Sequence, residues 1–251
     1  MKTRLRRASA ILGLLAVAAG CAAETPACRE IVFEDTPFAV CEASAKADLR
    51  LFLRDDAGEP HGEFRSVDDA LAEEGRRLAF AMNAGMYHQD RAPVGLYIEA
   101  GEKAASLNTK DGPGNFHLMP NGVFFIADGT AAVLESNAFV TADPDVDYAT
   151  QSGPMLVVDG TIHPKFNPDS SSYKRRNGVG VSTDGETVYF VISDQLVTFH
   201  RFARLFRDEL GCDNALFLDG AISRLHAPEL GRSEIGARMG PIVGLVEAVA
   251  E

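Results

Sequence analysis

Two aspartates in this chain close apolar runs. Asp194 follows Thr187–Ser193, and Asp219 follows Ala215–Leu218, where it opens the segment Asp219-Gly220-Ala221-Ile222-Ser223-Arg224. Acidic groups at strand ends beside glycine suit the rim of a site, and paired carboxylates are the usual equipment of glycoside hydrolysis. Asp-Gly is also the commonest hairpin dipeptide, so turn chemistry competes with the catalytic reading. A third cluster is cationic: Lys174, Arg175 and Arg176 follow Ser170-Ser171-Ser172-Tyr173 and precede Asn177-Gly178. Arginine forks hold phosphate oxygens in pairs, and lysine adds a point charge. A solvated loop is the plain alternative. Arg176 abuts the strand-like Val179–Thr183 and is expected to be more fixed than Lys174.

Neutral polar groups surround these charges in the sequence. Asn83-Ala84-Gly85-Met86-Tyr87-His88-Gln89-Asp90 follows one apolar run and precedes another. Gly85 permits close approach of a ligand. Asn83, Tyr87, His88 and Asp90 suit hydrogen bonds to a polyhydroxylated ligand, or else a capped turn. Gln151-Ser152-Gly153-Pro154 precedes Met155–Val158 and has the small residues that let backbone N–H groups face an anion. Ser152 does not sit in a nucleophile-elbow pattern, which argues against a serine hydrolase. His117 precedes an apolar stretch and reads as a core hydrogen-bonder, and Asn121-Gly122 reads as a turn.

These residues need a scaffold of short strands. Candidates are Asp48–Arg54, Arg77–Ala81, Val94–Glu99, Val123–Ala127, Ala131–Glu135, Met155–Val158, Val179–Thr183, Thr187–Ser193, Ala215–Leu218 and Ile242–Glu247. Asp-Gly pairs at 128–129, 159–160 and 184–185 fall between apolar runs at hairpin spacing. One helix is expected from a Ser66 cap to about Glu74, ended by Gly75. A second is expected from a Thr198 cap, with Phe199, Phe202, Phe206 and Leu210 on a core-packing face and Gly211 at its end. The pattern predicts an α+β fold, a single domain over 28–251 of largely antiparallel sheet with a few flanking helices.

Composition narrows the partners. The chain has 251 residues, is 46% hydrophobic and 24% charged, and carries a formal net charge of -12. That is a globular composition, and its acidity argues against nucleic acid or an anionic membrane as main partner. Residues 1–20 read as an export signal, with Lys2, Arg4, Arg6 and Arg7 before an apolar run too short to span a bilayer. Ala18-Ala19-Gly20-Cys21 reads as a lipobox with lipid on Cys21; a simple signal peptide cut after Ala18 or Ala23 is the alternative. Removing four basic residues and no acidic ones takes the charge from -12 to -16. Export permits disulfides. Cys28 and Cys41 flank Ile31-Val32-Phe33 and Phe38-Ala39-Val40 with Thr36-Pro37 as a turn, so a disulfide across a hairpin is expected. Cys212 reads as a buried thiol. No Cys/His pairs have structural zinc spacing, and no cofactor or metal is expected.

Read in order, the clusters resemble the phosphodiester glycosidase family. Asn83-Ala84-Gly85 is similar to its N-x-G segment before an aromatic turn, and Gln151-Ser152-Gly153-Pro154 with Met155–Gly160 to its S-G plus hairpin segment. Arg176-Asn177-Gly178-Val179-Gly180 resembles R-T-A-x-G. Ser193-Asp194-Gln195 falls on a D-G segment, and Leu218-Asp219-Gly220-Ala221-Ile222-Ser223 on L-D-G-G-G-S. The resemblance runs from about residue 77 to 230. Asn177, Gln195, Ala221, Ile222 and Arg224 depart from the pattern and resemble a bacterial exported subfamily.

The resemblance implies hydrolysis at a sugar–phosphate linkage. With export, the expected substrate is a phosphorylated carbohydrate on an envelope or extracellular glycan, and the protein is expected in the periplasm or anchored to the envelope. Arg176, with Arg175 and Lys174, is then expected on the phosphate. Asp219 and Asp194 are the expected carboxylates, Asp219 preferred as base or nucleophile. Asn83, Gly85, Tyr87, His88, Gln151, Ser152, Gly153, Asn177, Ser223 and Arg224 are expected around the sugar and phosphate. Two other readings use the same residues: a non-catalytic phosphoglycan-binding envelope protein, and a metal-dependent phosphodiesterase with His88, Asp90, Asp194 and Asp219 as hard-metal ligands.

Overall fold

The structure, a computed structural model, describes residues 27–220 and 222–249. The expected export segment, lipobox and Cys21 lie outside the described residues, as does Ala221. Among the described residues are three antiparallel sheets and three short α-helices, the α+β arrangement expected.

The seven-stranded sheet runs, edge to edge, Cys28–Phe33, Thr36–Ser44, Thr187–Ser193, Asn177–Val181, Asn214–Phe217, Met155–Val158 and Thr161–Ile162. A five-stranded sheet has the order Arg232–Ser233, Leu225–Ala227, Arg76–Asn83, Ile242–Ala248, Leu49–Phe52. The third orders Glu102–Ala105, Tyr97–Glu99, Tyr148–Ser152, Gly122–Ala127, Thr130–Glu135. The three meet in one core. Phe190 of the first packs on Phe80 of the second, ring centroids 5.5 Å apart, and on Phe124 of the third at 5.7 Å. Central strands such as Asn177–Val181 are buried along their whole length, because a sheet covered on both faces needs apolar or small residues at every position.

Helices cover the outer faces. α1 (Phe64–Glu73) lays Phe64, Val67 and Leu71 on the second sheet. It starts two residues before the expected cap: the Ser66 hydroxyl bonds His61 Nδ1 (3.0 Å), and no side chain caps the helix. Gly75 ends it at φ 70°, as expected. α2 (Ser136–Ala142) has no counterpart among the expected helices, and the Glu135 carboxylate caps it. α3 (Phe199–Arg204) is capped by Thr198 and widens into a π-turn over Leu205–Glu209. Phe202 and Phe206 lie fully buried against the seven-stranded sheet, so the phenylalanine row is core.

The turns at 128–129 and 159–160 are hairpins whose Asp and Gly both have positive φ, the type I′ geometry that matches strand twist. The first hairpin turns at Glu34-Asp35 (φ 48° and 59°) rather than at Thr36-Pro37, which pair with Phe33 and Val32 inside the strand. The register that this turn sets places Cys28 opposite Cys41, and the two form the expected disulfide. Cys212 is a buried free thiol pushed up to about 12, first by burial and then by Asp213. The disulfide spans 13 residues. Its reduction is expected to cost about 3 kcal/mol, lowering Tm by roughly 6–12 °C in scans with and without reductant.

Candidate active site

Strand ends from all three sheets converge at one place. Asn83 ends Arg76–Asn83, Ser152 ends Tyr148–Ser152, Asn177 begins Asn177–Val181, and Asp219 lies just past Asn214–Phe217. Asn83, Ser152 and Asn177 are fully buried; Asp219 and Ser223 keep 8% and 7% exposure. Polar groups this deep must be paired, and the pairing fixes the site. Asn177 Nδ2 donates to Asn83 O (3.0 Å), while its Oδ1 accepts from Asp219 N (3.1 Å). Asn83 Oδ1 accepts from Arg224 N (2.9 Å), and Asn83 Nδ2 donates to Asp219 O (3.4 Å). Ser223 Oγ donates to the same Asp219 carbonyl (3.0 Å), and Ser152 Oγ to Leu218 O. Asp219 is therefore held by its backbone, through Asn83, Asn177 and Ser223.

Arg176 precedes Asn177 on the neighbouring strand, where Gly178 pairs with Phe217 and Leu218 N donates to Asn177 O (3.2 Å). The Arg176 guanidinium lies 3.5 Å above the Phe199 ring and 5.6 Å from that of Phe217. Its Nε donates to Val197 O (3.0 Å) and its NH2 to Ser172 O (3.1 Å). No carboxylate pairs with it among the described residues, and burial alone pushes its pKa down to about 10, which leaves it cationic at neutral pH. The phenylalanine row thus has a second use: it floors a buried cation.

Arg175 is neutralised instead. Successive residues of an extended segment point to opposite sides, and Arg175 makes a bidentate pair with Glu234 (2.9 and 2.7 Å) while donating to Ser223 O (3.1 Å) and Ser193 O (3.2 Å). Glu234 also takes Arg232 (2.8 Å), and Arg232 takes Asp194 (2.9 Å). Burial would raise the Glu234 carboxyl, but hydrogen bonds from Arg175 and Arg232 hold it below the usual range. In this chain of four charges Asp194 is the counter-ion of Arg232, and Arg175 ties the segment 232–234 to Ser223.

Three more expected residues stand apart. Gln151 accepts from Leu96 N (3.0 Å) and Asn108 N (2.8 Å) and donates to Asn108 O (2.8 Å) and Ser136 Oγ (2.9 Å), so its amide is spent stapling loops. His88 and Asp90 lie on a turn closed by His88 N to Ala92 O (2.8 Å). With Asp194 on Arg232, the donor set the metal reading needs is not assembled. Among the described residues no group of three His, Cys, Asp or Glu is placed to hold an ion. Gly85 and Gly153 sit where a side chain would strike the backbone, at Gln151 O and Phe116 O, and let the turns close against each other.

Tyr87 does reach the cluster. Its hydroxyl is buried, with the Gly240 backbone as the polar group that faces it. Burial raises its pKa, the Asp219 charge raises it further, and Arg91 and Arg224 oppose. Arg224 is 8% exposed and lines a cavity of about 650 Å³ with Gly220, Ile222, Ser223, Glu234 and Ala237. Reasoning from sequence missed Arg232, Glu234, Gly236 and Gly240. They lie beyond the last motif, and only Gly236 and Gly240 leave a trace, as glycines in a loop.

Known proteins resemble this chain in sequence and in fold. The chain is 36% identical over 178 residues to the uncharacterized protein YigE of Escherichia coli K12, covering 71% of this chain and 69% of that one. The catalytic domain of zebrafish N-acetylglucosamine-1-phosphodiester alpha-N-acetylglucosaminidase, solved auto-inhibited by its pro-peptide, has the same fold. The two superpose with a TM-score of 0.60 at 13% identity, over 87% of this chain and 81% of that one. A hypothetical protein from Synechocystis superposes at 0.54 with 14% identity, over 87% of this chain and 61% of that one. The phosphodiester glycosidase family model matches residues 76–227, a span that holds Asn83, Ser152, Arg176, Asn177, Asp219 and Ser223. This chain belongs to the phosphodiester glycosidase family.

Proposed function

We propose that the protein hydrolyses a sugar-1-phosphodiester at the bond between the anomeric carbon and the phosphate oxygen. The observation that carries the reading is the convergence of strand ends that fixes Asp219 beside Asn83, Ser152 and Ser223, with Arg176, a buried cation that no carboxylate neutralises among the described residues, preceding Asn177 on the neighbouring strand. A buried unpaired charge is costly, and an anionic substrate supplies what the protein withholds. The guanidinium then holds the phosphate and stabilises the charge it gains as it departs. Because a phosphate monoester is already a good leaving group, strong general acid help is unnecessary. Asp219 activates water or meets the positive charge developing at the anomeric carbon. Water adds its oxygen to the sugar; the products are a free sugar and a phosphomonoester.

The substrate belongs to an envelope or extracellular glycan, and the enzyme is exported and tethered by lipid on Cys21. Support for export comes from the basic and apolar run before Ala18-Ala19-Gly20-Cys21 and from the Cys28–Cys41 disulfide, a bond of oxidising compartments. The similar zebrafish enzyme is named for N-acetylglucosamine, which makes that sugar the first to try. The test is incubation with an N-acetylglucosamine-α-1-phosphodiester in water enriched in oxygen-18. Label in the sugar is the expected result. Label in the phosphate would overturn the glycosidase reading in favour of P–O cleavage, and saturable binding without product would mark a binding protein.

A further inference from the structure

The second sheet and the helix that covers it bring a serine, a histidine and an aspartate into hydrogen-bonding order, apart from the Asn83–Asn177 cluster. Ser233 and His226 face each other across the strands Arg232–Ser233 and Leu225–Ala227, and Ser233 Oγ lies 2.9 Å from His226 Nδ1. The other ring nitrogen, Nε2, lies 3.4 Å from Oδ2 of Asp68 on α1. Asp68 is itself fixed, because its Oδ1 accepts from Leu78 N (2.8 Å). His226 is buried under the Phe64 ring, centroids 5.7 Å apart, whereas Ser233 is exposed.

Asp68 and Phe64 of α1 and Ser233 of the edge strand face the His226 ring, and of these only Asp68 carries charge. Burial pushes the histidine below its usual pKa and Asp68 opposes, so the ring is neutral at neutral pH. A neutral imidazole holds one proton. Asp68, an acceptor only, takes that proton at Nε2, which leaves the Nδ1 lone pair toward the Ser233 hydroxyl. This is the arrangement of an activated nucleophile, with a base in reach and a third group orienting the base. Such triads are recognised by geometry, not by place in the sequence. The Ser233 backbone adds a donor. Glu234 N donates to Leu225 O (3.1 Å), so His226 and Ser233 form a pair that exchanges no ladder hydrogen bonds. Arg232–Ser233 is the outer strand, and the Ser233 N–H therefore points off the free edge of the sheet.

We propose that Ser233 is a second nucleophile of this protein, with His226 as its general base and Asp68 as a positioning residue, and that it cleaves carboxylic esters of small acyl groups. Ser233 lines a cavity of about 650 Å³, the size of a small-molecule site, and Ile222 and Ala237 give that cavity apolar wall for an acyl chain. Ser233 Oγ bonds to the acyl carbon as its proton passes to His226 Nδ1. The Ser233 N–H receives the charge that develops on the carbonyl oxygen. The bond from the acyl carbon to the alcohol oxygen then breaks, and His226 returns the proton to the departing alcohol. Water repeats the two steps on the acyl-serine, and the products are a carboxylic acid and an alcohol. This activity goes beyond the phosphodiester reading and does not depend on it.

A fluorophosphonate, which phosphonylates activated serines with loss of fluoride, tests the site on the full chain. The expected result is an adduct located on Ser233 by peptide mass spectrometry and absent from Ser233→Ala. Hydrolysis of 4-nitrophenyl acetate is expected to be lost in the same variant, whose fold should persist because the side chain is exposed. His226→Gln is expected to slow labelling by about 10²–10⁴-fold, the range for loss of a general base. Asp68→Asn reports on positioning. Its amide oxygen still accepts from Leu78 N, so its NH2 faces His226 Nε2 and drives the ring proton to Nδ1, where it blocks the base. Labelling is expected to fall to a similar extent with thermal unfolding unchanged. Ring nitrogen-15 shifts are expected to show the Nε2–H tautomer in the wild type and the Nδ1–H tautomer in Asp68→Asn. No adduct on Ser233, labelling at the wild-type rate in both His226→Gln and Asp68→Asn, or ester hydrolysis undiminished in Ser233→Ala would overturn the proposal.

Discussion

Asp219→Asn is expected to leave the protein folded and to lower kcat on a sugar-1-phosphodiester by about 10²–10⁴-fold, the range for loss of a positioned acid–base carboxylate. The fold should survive because three hydrogen bonds to its backbone are untouched by the change. Asn177 receives its N–H, and Ser223 and Asn83 donate to its carbonyl. The substitution changes the charge and basicity of the side chain at nearly constant volume. Asp194→Asn is the matched comparison. That carboxylate pairs with Arg232 at the far end of a charge chain, and its loss leaves Arg232 still bound to Glu234. A modest loss is expected there. Equal losses at the two aspartates, read as kcat with thermal unfolding as control, would move the chemistry out of the Asn83–Asn177 cluster.

The second large effect belongs to Asn177→Ala, on stability as well as on rate. Asn177 is fully buried, and its amide is the link between the second sheet at Asn83 and the strand that ends at Asp219. Alanine leaves a buried carbonyl and a buried N–H without these partners, at about 1–3 kcal/mol each. Adding a small cavity, the total is roughly 3–5 kcal/mol in urea unfolding. Rate falls too, because Asp219 loses the bond that aims its backbone. Substrate binding should suffer less than turnover, since the Arg176 guanidinium is anchored independently through Val197 and Ser172. An Asn177→Ala protein of unchanged stability would show that the strand ends are held by something else.

What the sequence discloses follows from the range of the forces involved. The Asp-Gly hairpins at 128–129 and 159–160 are legible because two adjacent residues with positive φ make the whole turn. The disulfide is legible from two cysteines flanking adjacent strand-like runs, but its register is not. A two-residue turn at Thr36-Pro37 would set Cys28 against Ala45, and the turn at Glu34-Asp35 is what sets it against Cys41. Nothing in Glu34 announces its φ of 48°. α2 is hidden for another reason: its Val and Thr favour strands, and its cap is a glutamate at the end of the preceding strand.

The site divides the same way. Asn83, Ser152, Asn177, Asp219 and Ser223 stand in motifs, but the sequence does not show that they converge; the resemblance implies it, and the strand ends bring them together. Arg175 and Arg176 look alike in sequence and have opposite fates. Alternation says that neighbours on a strand point apart; it does not say which of them meets Glu234, 59 residues away. The segment through Gly236 and Gly240, which passes against Arg224 and Tyr87, carries no motif. Its signal is the clearance left by Gly236 and Gly240, a property of approach distance that composition does not record.

The cross-link at the first strand has a mechanical consequence. Cys28–Phe33 is an edge strand, hydrogen-bonded on one side only, to Thr36–Ser44. A pull on the N-terminal end would load its pairs one after another, like a zip, and a single backbone pair offers little resistance. The covalent bond lies at the outermost pair, Cys28 with Cys41. Force entering at residue 28 therefore passes directly into the second strand, which is paired along its other side to Thr187–Ser193 over seven residues. Tension is then shared in parallel across that ladder instead of being concentrated at one rung. A protein held by its N-terminus could be dragged through solvent without the edge of its largest sheet peeling, for as long as the sulfurs stay oxidised.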